Sequence, residues 1–258
     1  MIQNTKEELF AQQTEWERNF CSGNSKRLYK YRCDIYRDLF ALQNNLVYIP
    51  SREQLNDPNE SCLNLSEVYS VIHSHENQNP PEHGESLEDG IRKMVEDIGI
   101  LSMCKSPNEE CLWSYYANGH KGFCIEYDVK MLWDSFVEKE IVSCILEVSY
   151  ETQRVIATIA NIRSYIQNPM DFLRKTTASK SIKWKGEKEV RFVFNVKSEY
   201  VDIPKEAVTG IYIGERCTDE IELIQNAAKI IGNEKLRLYK MRFRKDSFDM
   251  YFEEIAYK

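Results

Sequence analysis

Residues 187–194 read EKEVRFVF, a run in which Glu187, Glu189 and Arg191 occupy one set of alternate positions and Val190, Phe192 and Phe194 occupy the other. Because successive side chains of a β-strand point to opposite faces, this run predicts a strand with Glu187, Glu189 and Arg191 on one face and apolar residues on the other. Similar apolar runs recur through the second half of the chain, between helical patterns but without a regular β-α-β alternation. This order predicts an α+β fold with a mixed or mostly antiparallel sheet core and flanking helices.

The remaining elements follow from the same periodicities. Strands are predicted at residues 28–32, 46–50, 98–104, 122–128, 141–150, 189–196, 208–214, 236–244 and 249–257. Helices are predicted at residues 5–20, 33–45, 107–118, 129–139, 152–167, 170–180 and 218–231. Thr218 is the predicted N-cap of the last helix, and Gly232 is its predicted stop. Residues 73–86 are polar and rich in Pro, Asn, Glu and His, which predicts a peripheral insertion in a single domain spanning residues 1–258.

The composition sets limits on the partners of the chain. Its 258 residues are 42% hydrophobic, which is enough for a sizeable core, and they carry a formal net charge of −7. That charge argues against a globally basic surface for tracking nucleic acid, although Lys and Arg side chains cluster locally at 180–191. The eight cysteines form no C-x-x-C, and no leader or membrane-length apolar run is evident. A cytoplasmic protein with reduced thiols and no membrane contact is therefore expected.

Common signatures of phosphate-binding loops, dinucleotide-binding folds, zinc proteases and α/β-hydrolases do not occur in the sequence. His73, His75 and His83 could imitate metal ligands, but they lie in the polar stretch without cysteines at zinc-finger spacing. No metal site is therefore predicted.

The carboxylate pair Glu187 and Glu189 is the strongest candidate for chemistry. Two residues apart on a strand, the two groups are expected about 7 Å from each other. Such a pair suits a reaction that passes through a cationic sugar, because one carboxylate stabilises the developing charge while the other activates an acceptor. The alternative is an exposed strand face on which Glu189 pairs with Arg191 or a cross-strand lysine, an interaction that contributes little.

Other residues are candidates for ligand binding, each with a structural alternative. Arg32 ends a predicted strand, where a guanidinium can hold a phosphate or form an ordinary ion pair. Asn56 and Asp57 form an Asx-turn sequence that can hold ligand hydroxyls or simply begin a helix. Residues 113–123 are dense in aromatic and hydrogen-bonding groups, which serve either as a ligand platform or as core. His120 in this stretch can titrate or bind a ligand, but a satisfied structural histidine is the commoner case.

Four of these segments together resemble domain-of-unknown-function family twenty-nine seventy-one, a widespread prokaryotic family. The segments are YKYR at 29–32, LNDP at 55–58, the stretch from Trp113 to Asp128, and WKGEKEVR at 184–191. The resemblance spans about residues 28–215, and the polar stretch at 73–86 looks like a lineage-specific insertion. This family does not by itself imply an activity.

The order of these features is also similar to the ADP-ribosyltransferase fold, including toxins that modify nucleic acid. That resemblance implies NAD as a substrate, with Arg32 on its phosphates, Glu189 on the ribose next to nicotinamide, and Glu187 activating the acceptor. The other cofactor-binding residues that it implies are Tyr31, Asn56, Asp57, Trp113, Tyr116 and His120. Lys183 and Lys185 would contact a macromolecular acceptor, nucleic acid among the candidates, in a toxin or phage-defence setting.

Two other functions stay open. Asp128 and Lys130 have the carboxylate-x-Lys spacing that metal-dependent nucleases use around a divalent ion, provided that both lie on one strand face. Alternatively, the chain is a non-catalytic binding or regulatory module whose charges form salt bridges and whose aromatics form the core.

The transferase hypothesis makes one structural and one functional prediction. Arg32, Asn56, Trp113 and Glu189 should converge on one cleft, because the resemblance makes sense only if these segments share a site. In addition, Glu189→Gln should abolish activity while leaving the fold undisturbed.

Overall fold

The computed structural model describes residues 13–23, 26–57, 93, 96–153 and 169–256. The predicted insertion at 73–86 and nearly all of the predicted helix at 152–167 lie outside the described residues. The strands are β1 (Arg27–Arg32), β2 (Leu46–Ile49), β3 (Gly99–Cys104), β4 (Phe123–Asp128), β5 (Val142–Glu147), β6 (Ser149–Glu151), β7 (Ser179–Ser181), β8 (Glu189–Phe194), β9 (Glu199–Asp202), β10 (Val208–Ile213), β11 (Arg237–Phe243) and β12 (Met250–Ile255). The helices are α1 (Glu15–Ser22), α2 (Ile35–Gln43), α3 (Glu110–Tyr116), α4 (Val129–Glu138), α5 (Pro169–Thr177) and α6 (Ile221–Ile231), with 3-10 helices at Arg52–Gln54, Ile182–Glu187 and Lys205–Ala207.

Eight strands form one sheet in the order β12-β11-β10-β4-β1-β3-β8-β5. β10 and β11 run parallel, and every other neighbouring pair in this sheet is antiparallel. Two small two-stranded sheets, β2 with β9 and β6 with β7, accompany it. The predicted α+β fold with a mixed sheet is therefore confirmed. None of the described helices is both long and apolar enough to cross a membrane.

Helices pack on both faces of the large sheet and orient β8. On one face, Phe136 of α4 contacts Phe192 and Phe194, with ring centroids 5.6 and 5.0 Å apart. All three rings are completely buried, and burying a side chain of this size stabilises the fold by about 1.5–3 kcal/mol. Because side chains alternate along a strand, this contact directs Glu189 and Arg191 of β8 to the opposite face.

The structure corrects the C-terminal end of the helix predicted at 170–180. α5 ends at Thr177, and the next residues form β7. The hydroxyls of Thr176 and Thr177 donate to the carbonyl of Leu173 at 2.9 and 2.6 Å. Threonine side chains that bond the preceding turn compete with the backbone donors that would continue the helix.

The last helix begins later than predicted. Glu220 is the N-cap of α6, whereas the Thr218 hydroxyl donates to Asp219. The predicted stop is confirmed, because Gly232 adopts a left-handed conformation with φ of 65°. Glycine reaches this region without steric cost, so the chain can leave the helix there.

β1 and β3 are neighbours that pair at only one position, Tyr29 opposite Cys104. β1 pairs with β4 along its whole length, and β3 does so with β8. The start of β3 is covered instead by an isolated bridge between Ser51 and Gly99. The sheet therefore opens between β1 and β3, near its centre.

Candidate functional site

A pocket of about 640 Å³ lies at the opening between β1 and β3. Its volume falls in the range of small-molecule sites. The lining includes both acidic and basic residues, namely Lys30, Arg32, Arg37, Asp38, Lys180, Glu187 and Glu189. It also includes five tyrosines, namely Tyr29, Tyr31, Tyr48, Tyr116 and Tyr200.

At one end of the pocket, two carboxylates share one ammonium group. Lys180 Nζ lies 2.5 Å from Glu187 Oε2 and 3.1 Å from Glu189 Oε2. The guanidinium of Arg191 donates to both oxygens of Glu189, at 2.7 and 3.0 Å. The Tyr116 hydroxyl donates to Glu187 Oε1 at 2.6 Å. Each carboxylate oxygen of the pair thus accepts at least one hydrogen bond.

The local backbone brings the two carboxylates together in a way that strand spacing did not predict. Glu187 is the last residue of a 3-10 helix, and Glu189 is the first residue of β8. Lys188 between them adopts a left-handed conformation with φ of 46°, which turns the chain. The prediction that Glu187 and Glu189 share a strand face is therefore wrong. The two carboxylates lie close together instead because both accept a hydrogen bond from Lys180 Nζ.

The alternative of an exposed ion pair on the strand surface is confirmed in part, because Glu189 does pair with Arg191, but the pair is buried and does not lie on an exposed strand face. Glu189 is 3% exposed and Arg191 is completely buried. Arg191 also donates to the carbonyl of Thr177 at 2.7 Å. A buried ion pair is costly to break, because the remaining charge loses its partner away from water. The expectation that Glu189→Gln leaves the fold undisturbed conflicts with this burial.

The buried ion pair predicts an acid-labile contribution to stability. Burial alone would raise the pKa of Glu189, but Arg191, followed by Lys180, lowers it from 4.5 to about 2. A depressed folded-state pKa contributes stability above the unfolded pKa, and this contribution is lost as the pH falls from about 4.5 through about 2. We therefore expect the free energy of unfolding to fall more steeply over this window in the parent than in Glu189→Gln. Urea denaturation across the window measures both slopes, and equal slopes would contradict the assignment.

The other wall of the pocket is cationic. Lys30 Nζ donates to the carbonyl of Ser102 at 2.5 Å, at the place where β1 and β3 separate. Arg32 lies 3.8 Å from Asp38, and Arg37 lies 3.4 Å from the same carboxylate. Burial and the neighbouring Arg32 lower the pKa of Lys30 from 10.5 to about 8. The three basic side chains can attract an anion, and the positive charge of Lys30 is lost as the pH rises through about 8.

The structure brings six of the predicted site residues to this one pocket. They are Tyr31, Arg32, Asn56, Tyr116, Glu187 and Glu189. Three of the four residues expected to converge, Arg32, Asn56 and Glu189, are among them. The exception is Trp113, which does not line the pocket.

Five predicted residues do not line the pocket, namely Asp57, Trp113, His120, Lys183 and Lys185. Trp113 is completely buried, and its indole N–H donates to the carbonyl of Pro107 at 2.8 Å. His120 stacks on Trp113 with ring centroids 6.3 Å apart. Trp113 therefore belongs to the core, as its structural alternative predicts. His120 is buried beside it, but its Nδ1 atom has no hydrogen-bond partner among the described residues, so it is not a fully satisfied structural histidine. Lys183 and Lys185 are exposed on the 3-10 helix next to the pocket.

Sequence reasoning missed Lys30 and Lys180 as pocket residues. Lys30 carried a detectable signal, because strand alternation places it on the same face as Leu28, which is completely buried. Because lysine is rarely buried without a partner, a lysine on an apolar strand face indicates a specific interaction or a site. Lys180 belongs to the basic cluster at 180–191, but its place in the pocket depends on α5 ending at Thr177, which the sequence did not predict.

The residues of the nuclease alternative have structural partners. The Asp128 carboxylate accepts from the backbone amide of Met131 at the start of α4 and from Arg27 at 2.6 Å. Lys130 forms an ion pair with Asp134 one helical turn later. Within the part of the chain that the structure describes, no three His, Cys, Asp or Glu side chains group as metal ligands.

Comparison with known proteins gives one match. Residues 112–192 match the model of a family described as "Protein of unknown function (DUF2971)". Neither the curated proteins nor the solved structures contain a match. The matched segment is less than half of the chain, and it carries Tyr116, Lys180, Glu187 and Glu189 of the pocket. The resemblance of this chain to the DUF2971 family is thereby confirmed over residues 112–192.

Proposed function

We propose that the pocket binds NAD and that the protein transfers ADP-ribose from NAD to a macromolecular acceptor, with nucleic acid as the first candidate. The observation that carries the proposal is the meeting of Arg32 with Glu187 and Glu189 at one pocket. These residues are far apart in the sequence. Together they support the proposal, because Arg32 can hold the phosphates of NAD while Glu187 and Glu189 can stabilise a cationic sugar.

The cationic wall suits the pyrophosphate of NAD. Lys30, Arg32 and Arg37 line the pocket together with Asp38, and Arg37 also lies 3.9 Å from Asp34. Guanidinium groups hold phosphate oxygens with paired, charge-assisted hydrogen bonds. The three basic side chains outnumber their acidic neighbours, Asp38 and Asp34, so this wall favours an anionic ligand.

The carboxylate end suits the reacting ribose. In the proposed step, the bond between the ribose C1′ and the nicotinamide nitrogen breaks, and nicotinamide leaves with the electron pair. Glu189, ionised and fixed by Arg191, hydrogen-bonds the ribose and stabilises the positive charge that develops on it. Glu187 accepts the proton of the acceptor nucleophile as that group bonds to C1′. Lys180 and Tyr116 hold Glu187 in place through their hydrogen bonds.

The direct test is incubation of the purified protein with NAD and candidate acceptors, with and without EDTA. The proposal predicts release of nicotinamide and a mass increase of the acceptor equal to ADP-ribose, both insensitive to EDTA. Acceptor cleavage that EDTA abolishes would favour the nuclease alternative. Ligand binding without turnover would favour the binding-module alternative.

The titration of Lys30 gives the proposal a pH dependence. A protonated Lys30 attracts the pyrophosphate, and it loses its proton as the pH rises through about 8. We expect the affinity for ADP-ribose to fall by about tenfold as the pH rises through this value, in keeping with the loss of one charge-assisted hydrogen bond. Isothermal titration calorimetry at pH values on both sides of the transition measures the change.

The matched control is Lys30→Arg, since arginine keeps its charge throughout this range. Its affinity should be nearly independent of pH. An affinity of the parent that stays constant or rises with pH would remove Lys30 from the phosphate wall.

A further inference from the structure

A pair of tyrosines forms the rim of the pocket on the β2–β9 ribbon. Tyr48 and Tyr200 are directly opposite each other in the register of these two strands. Their ring centroids are 5.0 Å apart, with the rings tilted by 59°. Both residues line the pocket, and Tyr200 is 41% exposed.

These rings do not belong to the core. Val47, Ile49 and Val201, which alternate with them along the two strands, are buried. Side-chain alternation therefore turns the two tyrosines away from the apolar interior. The hydroxyl of Tyr48 lies 2.9 and 3.1 Å from the side-chain amide of Gln54, which fixes the ring at the pocket edge.

We propose that Tyr48 and Tyr200 form a stacking subsite for the planar base of a nucleotide whose phosphates contact Arg32 and Arg37. This inference deepens the proposed function, on which it rests, by placing the base of the ligand at the ribbon. Aromatic side chains are the groups on which proteins stack nucleobases. The basic wall of the same pocket supplies the phosphate contacts.

The separation of basic and acidic residues in the pocket determines the orientation in which a nucleotide binds. The carboxylates Glu187 and Glu189 disfavour phosphates, so the phosphates lie toward Arg32 and Arg37. The base attached to those phosphates then extends to the tyrosine pair at the rim. An adenine nucleotide that lacks nicotinamide is therefore sufficient to occupy the subsite.

The test compares ADP with ribose 5-phosphate, which has a phosphate but no base, in calorimetric titrations. Tyr200→Leu should weaken ADP binding by about tenfold, in keeping with the loss of one stacking contact. The same change should leave the affinity for ribose 5-phosphate unaltered. Tyr200→Phe, which keeps the ring, should bind ADP like the parent.

Tyr36→Leu is the matched control, because Tyr36 is 83% exposed on α2 and does not line the pocket. It should bind ADP like the parent. Unchanged ADP affinity in Tyr200→Leu, an equal loss for both ligands, or no ADP binding by the parent would overturn the stacking subsite. Normal ADP binding that depends on Tyr200, without NAD turnover, would support the subsite and overturn the transferase proposal alone.

Discussion

Glu189→Gln is expected to lower the free energy of unfolding by about 3–5 kcal/mol, the usual cost of removing one partner of a buried ion pair. The variant leaves the completely buried Arg191 without the carboxylate that accepts two of its hydrogen bonds. Lys180 loses one of its two carboxylate contacts at the same time. For a chain of this size, the corresponding fall in Tm is roughly 6–20 °C, measurable by differential scanning calorimetry.

Glu187→Gln provides the comparison for this stability prediction. Glutamine at 187 can still accept the hydrogen bond from Tyr116, and Lys180 keeps its contact with Glu189. Its fall in Tm should therefore be clearly smaller than that of Glu189→Gln. If the two variants melt together, or if Glu189→Gln melts with the parent, the buried pair does not have the structural role assigned to it.

Glu187→Gln is also the sharper test of catalysis, since the fold depends less on this residue. We expect it to reduce the rate of nicotinamide release in the presence of acceptor by about 10² to 10³, the usual effect of removing one well-placed catalytic group. The loss should fall on kcat rather than on the affinity for ADP-ribose, because the proposed role of Glu187 concerns the acceptor. Single-turnover assays with saturating NAD measure the chemical step.

The control for the catalytic prediction is Glu234→Gln, which removes a carboxylate from an exposed position outside the pocket. It should turn over NAD at the rate of the parent. A Glu187→Gln variant that is folded and retains full turnover would remove the residue from the mechanism.

Much of the fold was predictable because local periodicity decides it. The alternation in β8 and the helical spacing in α2 and α4 arise from residues that are close in sequence. β7 and β9 were missed, since each is short and is fixed by pairing with a partner strand remote in the chain. The order of the strands in the large sheet likewise depends on long-range contacts that no local pattern encodes.

The site was predictable only where a short motif carried it. Arg32, Asn56 and Glu187 lie in the segments that suggested a common cleft, and all three line the pocket. Trp113 lies in such a segment too, but tertiary packing places its ring in the core. A short motif can indicate which residue types take part in a site. Whether a given side chain points into that site depends on its tertiary packing, which the motif does not contain.

The single paired position between β1 and β3 also bears on how substitutions affect the pocket. Most of the edge of β1 that faces β3 forms no backbone ladder, so substitutions at Lys30 and Arg32 do not disturb strand pairing on that side. Glu189 and Arg191 are different, because each satisfies the charge of the other in the interior. Single substitutions at the open strand edge can thus change the charge of the pocket without loss of strand pairing, whereas a single substitution in the buried pair leaves a charge in the interior without its ion-pair partner.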